Sequence, residues 1–149
     1  MRQTLTSLCL QTSGEGFTDL TARLDAEIGG SGLAQGIAVI AVQHTSCSLT
    51  VNENADPRVL ADLGAYLRAL VPQRGVRPIS GQGELRPWLH DDEGPDDMPA
   101  HIRTALTATS LSLSFDNGRL LLGTWQAVYL WEHRAQPQRR RISLHLIGA

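Results

Sequence analysis

The sequence predicts a single α+β domain: a largely antiparallel β-sheet or sandwich flanked by helices. Three observations carry this expectation. Apolar and polar residues alternate with period two near both ends of the chain, the pattern of half-buried strands. Separate stretches place apolar residues at helical spacing beside helix start or stop signals. Between alternating segments lies Asp116-Asn117-Gly118, a triplet suited to a hairpin turn. At 149 residues, the chain has the length of one domain, taken as 1–149.

The elements follow in order. Over residues 2–11, Leu5, Ser7 and Cys9 alternate with Thr4, Thr6, Leu8 and Leu10, which predicts a strand. Gly14-Glu15-Gly16 is a turn. Phe17, Leu20, Leu24 and Ile28 have helical spacing, so a helix is expected over 17–28, stopped by Gly29-Gly30-Ser31-Gly32. Residues 36–43 form a nearly continuous apolar run and predict a central strand. His44-Thr45-Ser46 follows, then a short strand over Cys47–Asn52. Asp56 can cap the next helix and Pro57 suits its first position. Val59, Leu60, Leu63, Leu67 and Leu70 line one face of it. Residues 72–96 are rich in Gly, Pro and charge, and a loop this long is functional or disordered. A short helix is expected next, with Asp97 or Met98 as cap, Pro99 in its first turn, and Ile102 and Leu106 on its apolar stripe. The last third is β: strands over 110–115, 119–132 and 140–147.

Charge and composition exclude some function classes. The formal net charge is -2, so no basic field exists to hold a polyanion, and no nucleic-acid partner is expected. All 13 basic residues are Arg, so a side-chain cation that meets phosphate must be a guanidinium. No run approaches the 18 or so apolar residues of a membrane span, and Met1-Arg2-Gln3-Thr4 lacks the apolar core of a signal peptide. The expectation is a cytoplasmic, reducing compartment with no membrane association. Cys9 and Cys47 then read as buried reduced thiols.

Chemistry has few places to live. His44 ends an apolar strand, His90 lies in the long loop, and His101 lies near the start of the short helix. Three imidazoles from separate elements could make a three-histidine zinc site with an open fourth position. Their spacing matches no local zinc signature, and three unrelated histidines fit the spacing equally. His133 and His145 read as structural. Asp91, Asp92, Glu93, Asp96 and Asp97 could carry Mg²⁺, or simply form a solvated loop. Asp97 and His101 stand four apart and would share a helix face, where the carboxylate could orient the ring. Gln126 and Glu132 interrupt an apolar row on the predicted 119–132 strand. They either line a polar pocket or pair with neighbours, because burying them alone would be costly. Asn52 and Asn54 crowd a helix entry close to His44. Arg134 and the run Arg139-Arg140-Arg141 offer phosphate contacts or solvated charges.

Four ordered motifs carry a resemblance: His44-Thr45-Ser46-Cys47-Ser48-Leu49-Thr50, Asn52 through Pro57, Glu93 through Ile102, and Gly118-Arg119-Leu120 with Leu122 through Gln126, continuing to Trp131-Glu132-His133-Arg134. With them the chain resembles the YjbQ-type family of secondary thiamine-phosphate synthase-like proteins. It departs at Glu132-His133-Arg134-Ala135-Gln136-Pro137, where many members read Glu-Phe-Asp-Gly-Pro-Arg. The resemblance implies an α+β fold and a homotrimer with sites near subunit contacts. It also implies a transferase reaction joining a pyrimidine-methyl pyrophosphate to a thiazole phosphate, with release of pyrophosphate. On that basis His44, His90 and His101 are expected to hold a divalent metal, Zn or Mg. His44, His101, Glu132 and Gln126 are the expected catalytic groups. Asn52, Asn54, Arg134 and Arg141 are expected to bind a small phosphorylated molecule. Two alternatives stay open: a metal-dependent phosphate-ester hydrolase, and a non-catalytic trimeric binding protein.

Overall fold

The computed structural model describes residues 1–149. Eight strands and three helices follow one another as β1 (Arg2–Gln11), β2 (Gly16–Asp19), α1 (Thr21–Gly30), β3 (Gln35–Val42), β4 (Cys47–Glu53), α2 (Pro57–Leu70), α3 (Asp97–Leu106), β5 (Ser110–Asp116), β6 (Arg119–Leu120), β7 (Gln126–Glu132) and β8 (Arg139–Gly148). All pairings are antiparallel. One sheet has the order β1-β8-β3-β5-β6 and the other β2-β7-β4.

The core lies between the two sheets. From the first come Leu8, Ala38, Ile40, Phe115, Ile142, Leu144 and Leu146, and from the second Cys47, Leu49, Val128 and Leu130. Leu24 and Ile28 of α1 close one side. Period-two alternation sends these residues inward and their neighbours out. β7 is buried on both faces, so every residue from Ala127 to Glu132 is buried. Helix α2 starts as expected, with Asp56 accepting from the Arg58 N–H at 3.0 Å and Pro57 in the first turn. No helix is long and apolar enough to cross a membrane.

Three local expectations change. Phe17 belongs to a strand, because β2 pairs with β7 and its ring stacks on Trp131 at 4.5 Å. The single strand expected over 119–132 is broken after Leu120, and Gln126 begins a strand in the other sheet. Helix α3 buries Ala100, Arg103 and Thr104, while Leu106 is exposed. Arg103 is held there by donating to the Val71 carbonyl at 3.0 Å and pairing with Glu15.

Candidate functional site

One group in the chain brings three metal-competent side chains together: His90, Asp97 and His101, with ligand atoms all within 4.8 Å of one another. His90 comes from the long loop. Asp97 opens α3, where a helix N-terminus favours a carboxylate, and His101 follows one turn later on the same face. Asp97 Oδ1 accepts from Arg134 Nη1 at 2.7 Å. Its Oδ2 accepts from His90 Nε2 at 2.7 Å, through a proton that a bound ion would displace, and lies 3.4 Å from His101 Nε2. The Asp97 side chain is 2% exposed, against 46% for His90 and 32% for His101, so the cluster opens to solvent on its imidazole side. Burial works against the Asp97 charge. The His90 hydrogen bond and the charges of Arg134, His101 and His90 outweigh it and hold the carboxyl below its ordinary range.

The orientation of His101 is informative. Its Nδ1 lies 3.0 Å from the Thr45 carbonyl oxygen, which can only accept, so Nδ1 carries a proton. In the neutral ring Nε2 then has only a lone pair, and that lone pair faces Asp97 Oδ2. Two acceptors in apposition need positive charge between them, either a second ring proton or a cation. An imidazole that donates to a backbone carbonyl and turns its other nitrogen to a shared point is the usual arrangement around a bound metal. Two imidazoles and one carboxylate suit zinc and similar ions better than Mg²⁺, which prefers all-oxygen shells.

His44, expected as the third imidazole, is not part of this group. Its Nε2 accepts the Arg141 backbone N–H at 2.7 Å, so the neutral ring carries its proton on Nδ1 and has no lone pair for a metal. Burial and Arg140, partly offset by Glu132, lower its pKa and favour that neutral form. The expected set of three histidines is therefore replaced by two histidines and Asp97. His44 still adjoins the cluster through Thr45, the next residue.

The remaining expected site residues fall into different places. Glu132, expected as a catalytic base, is fully buried with both oxygens occupied. Oε1 accepts from the Arg134 N–H and from Arg140 Nη2; Oε2 accepts from Arg140 Nε and the Thr12 hydroxyl. Of the two readings open for this carboxylate, the structure gives the paired one. Gln126 is exposed and closes a turn, its Oε1 accepting from the Gly123 N–H at 2.7 Å. Asn52 Oδ1 accepts from the Glu53 N–H, and Asn54 Nδ2 donates to the Thr124 and Gln126 carbonyls, so both amides hold local backbone. Arg134 is spent on Asp96, Asp97 and the Glu93 carbonyl. Asp96 is tied down by Arg134 and the Ala135 N–H, and Asp91, Asp92 and Glu93 are exposed. Arg141 makes no side-chain hydrogen bond or ion pair.

Asp97 grouped with both His90 and His101, Thr45 as the group that orients His101, and Arg140 as the partner of Glu132 were not assigned from sequence. Two had a signal. Asp97 and His101 are i and i+4 on one helix. Arg140 has the parity of Ile142, Leu144 and Leu146 on β8, which places it inward. Cys47 is buried, and burial above all pushes its thiol up to about 11, so it is inert.

The family model described as UPF0047 protein YjbQ-like matches residues 6–149. The chain belongs to the YjbQ-like family. Within it, a UPF0047 protein of Synechocystis is 44% identical over 147 residues, covering 99% of this chain and 93% of that protein. YjbQ of Escherichia coli O157:H7 is 42% identical over 113 residues, 76% of this chain and 74% of that one. Among solved structures, a conserved hypothetical protein of Thermus thermophilus superposes with TM-score 0.76 at 35% identity, covering 95% and 99% of the two chains. A protein of unknown function from Sulfolobus solfataricus, described as YbjQ-like, superposes at 0.80 with 19% identity over 99% and 100%, a likeness of fold. The YjbQ-like α+β fold expected from the sequence is thus the fold observed.

Proposed function

We propose that this YjbQ-like protein holds a divalent cation of the zinc kind on His90, Asp97 and His101 and uses it on a small phosphorylated molecule. The supporting observation is the apposition of His101 Nε2 and Asp97 Oδ2, with the ring's other nitrogen committed to Thr45. When bound, the ion would stabilise negative charge on a phosphate oxygen as the bond to it breaks. The chain's own residues do the positioning. Arg134 holds the far oxygen of Asp97, Thr45 fixes the His101 ring, and the long loop brings in His90.

Between the two enzymatic readings, a transferase that releases pyrophosphate is favoured over a hydrolase. The hydrolase reading asks Glu132 or Glu93 to activate water; Glu132 is buried with both oxygens engaged, which leaves it only the exposed Glu93 of the loop. The thiamine-phosphate synthase reaction implied by the family resemblance needs charge stabilisation on its leaving group more than it needs such a base.

Metal content of the chelator-stripped protein after exposure to Zn²⁺ and desalting tests the reading. One ion per chain is expected, with His101→Ala and Asp97→Asn each losing it while circular dichroism stays native. A chain that retains no metal, or variants that retain as much as the wild type, would sink it. Formation of thiamine phosphate from the two precursors, lost together with the metal, is the expected activity. A metal-loaded chain without turnover would leave a binding protein in place of an enzyme.

A further inference from the structure

A cavity of about 210 Å³ is lined by Cys9, Gln43, His44, Arg139, Arg140 and Arg141. We propose that this cavity is an anion site that takes the phosphate or pyrophosphate group of a small molecule, with Arg139 and Arg141 as its ligands. The inference deepens the function proposed above and rests on it for the identity of the rest of the ligand.

The charge count favours an anion. No acidic residue lines the cavity. Arg140 is neutralised by Glu132, deep between the sheets. Arg139 and Arg141 have neither an ion pair nor a side-chain hydrogen bond, so two guanidinium groups are left uncompensated in a chain whose net charge is -2. They stand two residues apart on β8 and so share its outward face, about 7 Å apart along the strand. Two long side chains from that spacing can close on one phosphate, and a guanidinium matches phosphate oxygens in a paired, planar way. Across the ladder Arg141 faces Cys9, a small neutral residue that leaves the space open.

His44 adds a donor of the right kind. With Nε2 accepting the Arg141 N–H, its ring proton is on Nδ1. The strand end that carries His44 also carries Thr45, whose carbonyl holds His101. Consecutive residues are about 3.8 Å apart at Cα. One short segment therefore lines the arginine cavity through His44 and touches the histidine cluster through Thr45. The cavity has room for about seven waters, which exceeds what a phosphate group needs.

The test is calorimetric titration of inorganic pyrophosphate into the chelator-stripped full chain at low salt. Saturable binding of one pyrophosphate per chain is expected. The double variant Arg139→Gln/Arg141→Gln should bind about tenfold more weakly or worse, since a charge-assisted hydrogen bond is worth a decade or more in affinity. Both side chains are exposed and unpartnered, so this variant should unfold at the wild-type temperature. Arg23→Gln, which removes an exposed guanidinium outside the cavity, should bind pyrophosphate as the wild type does. In ¹⁵N spectra the wild-type shifts should centre on Cys9, Gln43, His44 and Arg141. Absence of saturable binding, equal binding by the double variant, or shifts centred elsewhere would overturn the proposal. Metal uptake is read separately: anion binding in a chain that takes no metal would remove the metal site alone, and metal uptake without anion binding would remove this one alone.

Discussion

His133 sits one residue beyond β7, wholly buried between Trp131 and the Ser48 hydroxyl, which lies 2.8 Å from its Nε2. Its Nδ1 is buried without a partner. Burial above all, with Arg103 and Arg140 nearby, pulls its pKa down to about 3. The unfolded imidazole titrates near 6.5. Between those values the unfolded chain binds a proton that the folded chain refuses, so stability present above pH 6.5 is lost as pH falls toward 3. The contribution is on the order of a few kcal/mol by the bottom of that window. Urea unfolding at pH 7.5 and pH 5 checks it. The wild type should lose stability across the interval, and His133→Leu should lose clearly less, whatever its absolute stability. Parallel losses would assign the acid sensitivity to other groups. Residue-level legibility was uneven for physical reasons. Asp97 and His101 were legible because they lie one helical turn apart. The role of His44 was not, because the group that occupies its Nε2 is a backbone N–H 97 residues away.

Strands β3 and β8 approach closely at their ends, where Gly36 pairs with Gly148. A Cβ on Gly36 would lie 2.1 Å from the Ile147 carbonyl oxygen and 2.8 Å from the Gly148 Cα. Those are backbone atoms in a paired ladder, so they cannot yield as a side-chain tip would. Gly36→Ala should therefore cost about 1–3 kcal/mol or more, the range of overpacking, read as a lowered thermal midpoint. Gly30→Ala is the control. Nothing lies within 4 Å of its Cβ position and it sits in the last turn of α1, so it should be neutral or slightly stabilising. Equal midpoints for the two variants would show that the strand ends open easily. Elements were legible where one pattern dominated, as in the alternation of β1 and β8, the apolar run of β3 and the helical stripe of α2. They were misread where a short element borrowed its neighbour's spacing. Phe17 stands in register with Leu20, Leu24 and Ile28, yet cross-strand pairing with Trp131 decides its state. The break after Leu120 was hidden because Leu121 and Leu122 carry the apolar run on toward β7, although β6 and β7 belong to different sheets.

Over the whole molecule, one surface lacks a cover. The inner face of the five-stranded sheet meets the core, and the outer face is by the same alternation largely polar, with Gln3, Ser7, Ser112, Arg139, Arg141 and Ser143 on it. An apolar patch interrupts it toward one end. Ile37 and Ile147 are direct cross-strand neighbours, and Leu5, His145 and Val39 form the next row. Leu5 and Ile37 are 68% and 50% exposed. At the edge of this face lies the largest cavity, about 750 Å³, lined by Met1, Ile37, Leu121 and Ile147 among others. It is far from the chemistry in character, since Asp116 is its only ionisable side chain, and an open apolar hollow on a flat sheet fits a protein surface better than a metabolite. The homotrimer implied by the family resemblance would give that surface its cover. Sedimentation equilibrium should accordingly return about three times the 16.2 kDa chain mass. Ile37→Glu places a charge within this patch without touching the inner core, and burying that charge unpaired would cost far more than one side chain's burial returns. The variant should sediment as a folded monomer that keeps the His90, Asp97 and His101 cluster, because all three come from one chain. A wild-type monomer, or an assembly indifferent to the glutamate, would mean that this face is left open to solvent and that the subunits meet, if at all, elsewhere.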